Sequence, residues 1–532
     1  MIFWRVKSLD AILATAEKKS LHRSLGPFQL TMLGIGGIIG TGIFVLTAEA
    51  AQKAGPAMMI SFLLAAFVCG VAALCYAELA AMVPVSGSAY TYTYAVLGEF
   101  LAWIVGWALV LEYAVAASAV AVGWSGYIVG LLDHLLGIHV PDVIANGDGL
   151  IARMQMAIGM EATPDLLKAA EVGGIVNFPA VLIAGLVTWL LVIGTKESAT
   201  VNAALVAIKL AALLLFIAFA VPLIQMDHFV PFAPLGSVGV IGAASSIFFA
   251  FVGFDAVSTA AEETKNPQRN VPIGLIGSLV ICTILYMLVA AGAVGSFGAQ
   301  PVMEANGAMI SPGSAELAGK CASLAAAGTN PLVCSKEALA HVLRSIGHPA
   351  VGNLLGLAAG FALPSVILMM MFGQTRIFFV MSRDGLLPKR FSAVHPKYKT
   401  PHVITIVTGI AVAIAAAFFP VGKLADISNS GTLCAFFFVA IAVMILRRTE
   451  PNRRRVFRTP LVWIVAPLAA AGCLLLFFYL PPAAMIVFPV WAIIGLFIYF
   501  GYSMRRSHVG LGIVEVHEED ADAPPQPVPP IA

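Results

Sequence analysis

Residues 30–50 form an apolar run long enough to cross a bilayer, yet its middle reads Gly34-Ile35-Gly36-Gly37-Ile38-Ile39-Gly40-Thr41-Gly42. A spanning helix needs roughly 20 apolar residues. Each glycine in its interior costs about 1 kcal/mol relative to alanine, and in lipid no water satisfies a freed amide or carbonyl. Such a segment persists where its loosened backbone lines a cavity and binds something. That is the pattern of an interrupted transporter helix, whose N–H groups turn toward an anionic group. Helix packing is the competing use, because Gly36-x-x-x-Gly40 is also a small-xxx-small contact motif. A dinucleotide fingerprint is excluded, since no strand precedes the glycines and no βαβ unit surrounds them.

The chain has 532 residues, 60% hydrophobic and 11% charged. Soluble domains carry about 25% charged residues, so the bilayer is the expected solvent. A net charge of +2 argues against a nucleic-acid partner. Twelve apolar runs are able to span, at about 30–50, 57–82, 98–128, 178–195, 200–223, 240–261, 273–296, 351–381, 402–419, 424–446, 460–480 and 483–503. With the N-terminus inside, the outer segments hold Lys53, Arg153, Lys168, Lys320, Lys336, Arg344 and Lys423. The other basic residues fall inside, apart from Lys209, which is within a run. The positive-inside rule then places both termini in the cytoplasm, in a cell inner membrane.

Residues 1–27 read as a cytoplasmic arm, with 3–20 either an amphipathic surface helix or a solvated segment, and not as a cleaved signal. Residues 28–506 form the membrane domain, and 507–532 an acidic, proline-rich tail expected to be disordered. Cys321 and Cys334 share the outer loop between runs 7 and 8, where a disulfide forms if that side is oxidising. No histidine pair has metal-ligand spacing, and neither a metal nor a cofactor is expected.

The first five runs and the next five match in coarse pattern, dividing the domain at about 28–223 and 240–446, with runs 11 and 12 (460–503) left over. Each set opens on an interrupted segment: Gly36 to Gly42 in the first, Ala243-Ala244-Ser245-Ser246 to Gly253 in the second. Five is odd, so the second set is inverted relative to the first. Paired interruptions in two halves point to a midplane binding site. In the first, Gly37, Gly40 and Gly42 let the backbone open, Thr41 adds a hydroxyl, and the helix beginning after Gly42 favours a carboxylate. In the second, carbonyls around Phe249, Ala250 and Val252 would accept from an ammonium, with Phe249 a gate or a core filler.

Three charges lie at membrane depth, where ionised groups are costly and functional by default. Asp255 follows the second interruption and suits a group that holds and releases a proton; the bland alternative is a helix-capping carboxylate. Lys209, aimed at the first interruption, would occupy the place of a sodium ion, which argues for proton coupling. Glu112 either titrates, attracts a basic substrate side chain, or is structural. Glu78 lies near the inner end of run 2 and is expected to pair with a loop. Residues 261–269 and 381–388 read as ion-pair loops of an inner gate or as solvated connectors.

At these residues the chain resembles a known family. Gly36-Gly37-Ile38-Ile39-Gly40-Thr41-Gly42-Ile43-Phe44 is similar to the first-span motif of the amino acid–polyamine–organocation superfamily. Phe254-Asp255-Ala256-Val257-Ser258-Thr259-Ala260-Ala261-Glu262-Glu263, Lys265-Asn266-Pro267 and Arg383-Asp384-Gly385-Leu386-Leu387-Pro388 resemble its cationic amino acid transporter family, in a bacterial member. The resemblance implies an all-α polytopic fold of twelve helices, a LeuT-like 5+5 inverted repeat with helices 1 and 6 discontinuous and two peripheral helices. It implies proton-coupled uptake of cationic or small neutral L-amino acids. Ile38, Gly40, Thr41 and Gly42 would bind substrate together with Phe249, Ala250 and Val252. Phe249 would be the outer gate, Lys209 the cation replacing sodium, and Asp255 with Glu112 the acidic pair. The partners implied are an amino acid, protons, lipid and a small membrane-protein subunit. An exchanger and a low-turnover sensor are the alternative functions. An enzyme is not expected, because no clustered metal ligands or nucleophile–base pair is visible.

Overall fold

The computed structural model describes residues 5–7, 25–85, 87–157, 173–194, 199–304, 307–398 and 400–512. The expected surface helix at 3–20 and the tail beyond 512 lie outside the described residues. Among the described residues the fold is helical, with one two-residue strand at Val176–Asn177.

Each of the twelve apolar runs is helical. Helix α1 (Pro27–Ile38) starts where Pro27 presets the helical φ, and Gln29 Oε1 accepts from the Gly26 N–H at 3.1 Å. It stops at Ile39 and Gly40, both extended, and the chain resumes as α2 (Thr41–Phe44) and α3 (Leu46–Ala54). After α4 (Met58–Met82) and the short α5 (Ser88–Val96), α6 (Glu99–Leu136) forms the central post. Helices α7 (Phe178–Ile193) and α8 (Ala199–Ala220) complete the first half.

Helix α9 (Gly236–Ile247) runs into a 3-10 turn at Phe248–Phe251, an extended Val252 and the short α10 (Ala256–Thr259). Then follow α11 (Pro267–Phe297), two loop helices α12 (Ala315–Ala326) and α13 (Ala338–Ser345), and the long α14 (Pro349–Arg383). Helices α15 (His402–Phe418), α16 (Val421–Thr449), α17 (Val462–Phe478) and α18 (Pro482–Ile498) close the chain. Among the described residues, eight stretches are long and apolar enough to cross a membrane, and α7, α15 and α17 are shorter apolar helices.

Helices α14 and α16 pack along α6, and α11 packs on α1 and α4. Leu63 and Phe67 of α4, Ile284 of α11, Phe361 of α14 and Phe497 of α18 are exposed on the outside of the bundle. Large apolar side chains tolerate that position when the surroundings are lipid. Helix α18 is joined to α6 by a Trp107–Trp491 stack at 4.5 Å, in which each indole N–H donates to the other residue's carbonyl at 2.8 Å.

Two assignments differ from expectation, and the pairing left open for Cys321 and Cys334 is decided. Residues 507–512 are part of the ordered fold: Ser507 Oγ donates to the Glu99 carboxylate, and the His508 N–H to the Asp384 carbonyl at 3.1 Å. Glu99 is buried at the start of α6, where a carboxylate is costly without such donors. Lys53, assigned to an outer loop, lies within α3 and is buried. Its ammonium sits with Ser246 and Asp426, a pairing that one-dimensional apolar runs do not register. Cys321 and Cys334 are joined by a disulfide, closing the loop that carries α12.

Candidate functional site

The two helix interruptions meet in the middle of the bundle, and glycine is what lets them meet. A Cβ on Gly42 would lie 2.3 Å from Ala250 Cα, closer than real atoms approach. A Cβ on Gly37 would lie 2.8 Å from the Gly253 carbonyl oxygen, and one on Gly253 would lie 2.7 Å from the Gly37 carbonyl oxygen. Gly253 also holds φ at +111°, a conformation that side chains oppose. Packing and opening of the backbone are therefore the same event: the glycines bring one interruption against the other. Ile38, Gly40, Thr41, Gly42, Phe249, Ala250 and Val252 are all buried at this junction.

The freed main-chain groups have partners from other helices. Lys209 Nζ, fully buried on α8, donates to the Gly36 carbonyl at 2.8 Å. Tyr286 of α11 donates to the Ile38 carbonyl at 2.9 Å, and Tyr127 of α6 donates to the Phe44 carbonyl at 2.8 Å. Lys209 is conspicuous in the sequence because a charge inside an apolar run stands out. The tyrosines are not, since nothing in a phenol's immediate sequence says where its hydroxyl ends.

Beyond the second interruption Asp255 is buried, and one carboxylate oxygen accepts from the Tyr113 hydroxyl. Its other oxygen, Thr41 Oγ1 and both oxygens of Glu112 have no hydrogen bond of good geometry among the described residues. Glu112 is fully buried on α6, one residue before Tyr113, so the tyrosine that holds Asp255, not expected from sequence, follows the second acid in the chain. The side chains nearest the glycines are apolar: Val366 faces Gly40, Met369 faces Gly37 and Met370 faces Gly253.

At one end of the bundle the motif loops carry the ion pairs. Arg376 meets Glu263 at 3.3 Å and the Thr259 carbonyl at 3.0 Å, and Lys7 meets Asp384 at 2.8 Å. The Leu25 N–H donates to the Glu263 carbonyl at 3.1 Å, and the Lys265 N–H to the Leu25 carbonyl at 2.9 Å. Glu78, expected to pair with a loop, receives Arg447 at 2.7 and 2.8 Å, Arg455 at 3.1 Å and the Thr459 N–H at 2.8 Å. At the opposite end, Gln52 of α3 donates to the Val302 and Ile310 carbonyls at 2.7 and 2.9 Å. There Glu337 is packed against Gly130 of α6 and paired with Arg344. Burial pushes the Glu337 carboxyl up to about 7, against the pull of Arg344. No cluster of His, Cys, Asp and Glu suited to a metal ion occurs among the described residues.

A multi-helix membrane protein with two interruptions in contact at its core is built as a solute carrier. The profile of the amino acid permease family matches residues 25–501. The chain is similar to the branched-chain amino acid permease BcaP of Bacillus subtilis, 44% identical over 505 residues, covering 95% of this chain and 98% of that one. It is 40% identical, over the same shares, to the methylthioribose transporter of Bacillus subtilis. The vacuolar cationic amino acid transporter 2 of Arabidopsis thaliana is 32% identical over 85% of this chain and 64% of its own length. The chain belongs to the amino acid permease family of the amino acid–polyamine–organocation superfamily, whose members are transporters and not enzymes. The sequence motifs led to the superfamily; the narrower placing among cationic transporters is shared with relatives named for other cargo.

Proposed function

We propose that this permease carries neutral, apolar L-amino acids, branched-chain ones first, into the cell together with protons. The observation that carries the reading is the junction itself: two interruptions in contact, one followed by the N-terminus of α2 and the other by a buried acid. A helix start favours a carboxylate, and Thr41 Oγ1 is an additional hydrogen-bonding group there. The carbonyls at Phe249, Ala250 and Val252 take the ammonium, and Phe249 closes the site from outside. Substrate side chains then face Val366, Met369 and Met370, a flexible apolar surface. This supports branched-chain cargo, in keeping with the name of one relative that matches nearly end to end. Cationic or small neutral L-amino acids are the alternative cargo, which Asp255 and Glu112 or the main-chain site alone would serve.

Proton rather than sodium coupling follows from Lys209, a fixed cation on the Gly36 carbonyl where a bound sodium ion would compete. Asp255 and Glu112 are the groups that take up and release the proton. In this reading α1–α8 and α9–α16 are inverted counterparts, five spans each, with α17 and α18 peripheral. The end carrying Arg376, Arg447 and Arg455 faces the cytoplasm. The disulfide-bearing loop then lies outside, where a disulfide persists.

The test is uptake of a labelled amino-acid panel into proteoliposomes under an imposed pH gradient without sodium. Leucine, isoleucine and valine are expected to accumulate. Accumulation that requires sodium overturns the coupling, and accumulation of lysine and arginine alone overturns the substrate class. Counterflow without net accumulation identifies an exchanger.

A further inference from the structure

The first interruption has a partner that stands out in the sequence, Lys209. The second has one that does not. Helix α9 ends at the second interruption, and its last carbonyls, those of Ser245 and Ser246, both accept from Asn429 Nδ2 at 2.9 Å. Asn429 is fully buried on α16, and its Oδ1 has no partner among the described residues. One turn earlier on the same helix, Asp426 Oδ1 accepts from Ser246 Oγ at 2.5 Å. The other oxygen of Asp426 lies 3.7 Å from Lys53 Nζ, which also donates to Ser246 Oγ. Lys53 belongs to α3, the outer continuation of the first interrupted helix.

One face of α16 thus grips the end of α9 and, through Ser246, ties it to α3. The same helix reaches the acid pair. Ser428, the neighbour of Asn429, donates to the Glu112 carbonyl at 3.0 Å, and a Cβ on Gly431 would lie 2.7 Å from the Ala108 carbonyl oxygen. Position 429 therefore stands between the second interruption and the segment of α6 that presents Glu112 and Tyr113.

We propose that Asn429 is a second positioning residue of the transport site, doing for the interruption after Ile247 what Lys209 does for the interruption after Ile38. This rests on the reading of the two interruptions as the substrate site. The chemistry explains why an amide serves. The last carbonyls of a helix lack intrahelical donors, and an NH2 group can donate to both at once, which fixes the rotation of the helix end. It does so without adding charge beside the carbonyls meant for the substrate's ammonium. Lys53 and Asp426, themselves paired, hold Ser246 in register, so the outer half of one interrupted helix reads the setting of the other. Glu49 also lies nearby, its carboxylate against Gly422.

Asn429→Asp keeps the shape but aims oxygen at two carbonyl oxygens. Asn429→Ala removes the side-chain donor that those carbonyls share. Ser246→Ala cuts the tie to Lys53 and Asp426 while sparing the amide. In proteoliposomes with labelled L-leucine, the half-saturating concentration is expected to rise at least tenfold for Asn429→Asp, several-fold for Asn429→Ala and two- to threefold for Ser246→Ala. The leucine-induced rise in melting temperature should disappear in Asn429→Asp, with the ligand-free melting temperature within a few degrees of the parent. Lowered melting temperatures with an unchanged half-saturating concentration and leucine response would make Asn429 a structural residue and overturn the proposal. Should Asn429→Asp fail to reach the membrane, Ser246→Ala decides: wild-type saturation by leucine overturns it. A parent protein that neither binds nor moves leucine brings down the underlying site reading instead, so the two failures are told apart.

Discussion

The two interruptions solve one problem with opposite charge. At the first, carbonyls at the end of α1 are held by an ammonium and a phenol, Lys209 and Tyr286, and the chain resumes with a helix start at Thr41. At the second, carbonyls at the end of α9 are held by a neutral amide, Asn429, and the chain resumes with a carboxylate, Asp255, gripped by Tyr113. In the proposed reading, the first side offers donors and the second offers acceptors. A zwitterion presented between them has a preferred orientation before any side chain is recognised. In the proposed reading, substrate class resides in the apolar surround at Val366, Met369 and Met370, and amino-acid chemistry in the main chain.

The comparison is broken most severely by closing the space between its halves. Gly42→Ala places a methyl group 2.3 Å from Ala250 Cα. Transport should fall below detection, and overpacking of this kind costs about 1–3 kcal/mol of stability. Uptake and melting measured together check both. Next comes Lys209→Ala, which removes the donor from a buried carbonyl. Leaving a buried acceptor unsatisfied costs about 1–3 kcal/mol, so uptake should drop by up to about 100-fold in initial-rate assays. A variant with the parent's rate would make Lys209 a bystander and the asymmetry incidental.

Asp255→Asn tests the second side. Proton-driven accumulation should fall by roughly tenfold or more, equivalent to about 1.4 kcal/mol or more, while exchange at equal pH falls less. Accumulation and counterflow from one preparation separate the two, and an unchanged pH dependence would count against the coupling role. The smallest effect lies away from the junction. The folded value of Glu337, about 7, stands above its ordinary 4.5. Folding therefore retains a proton that the unfolded chain releases, and stability is greatest below about 4.5 and declines as pH rises through 7. Melting measured from pH 5 to 8 should show this decline, and Glu337→Gln should flatten it.

Much of the site is legible in the amino-acid sequence because charges and glycines are conspicuous against an apolar background. Lys209, Asp255 and Glu112 announce themselves by their cost. Gly36 to Gly42 announces the first interruption. The second is visible only as a run of small residues, since its turn is made by Phe248–Phe251 and Val252, which in sequence look like ordinary apolar helix. Asn429, Tyr286, Tyr113 and Lys53 are not legible as partners. Their roles depend on which helix passes beside them, and neither periodicity nor composition encodes that.

Composition and apolar runs suffice to show that the chain is built for lipid and where its helices lie. The sequence also marked two segments that cannot remain regular helices, because the cost of burying charge and of placing glycine in a helix is local. That the interruptions touch and that a tyrosine holds Asp255 emerges from the folded bundle. The bundle alone joined Lys53, Ser246, Asp426 and Asn429 into one linked group. Hydrogen bonds between distant helices are set by how those helices pack, and packing is a property of the assembled bundle.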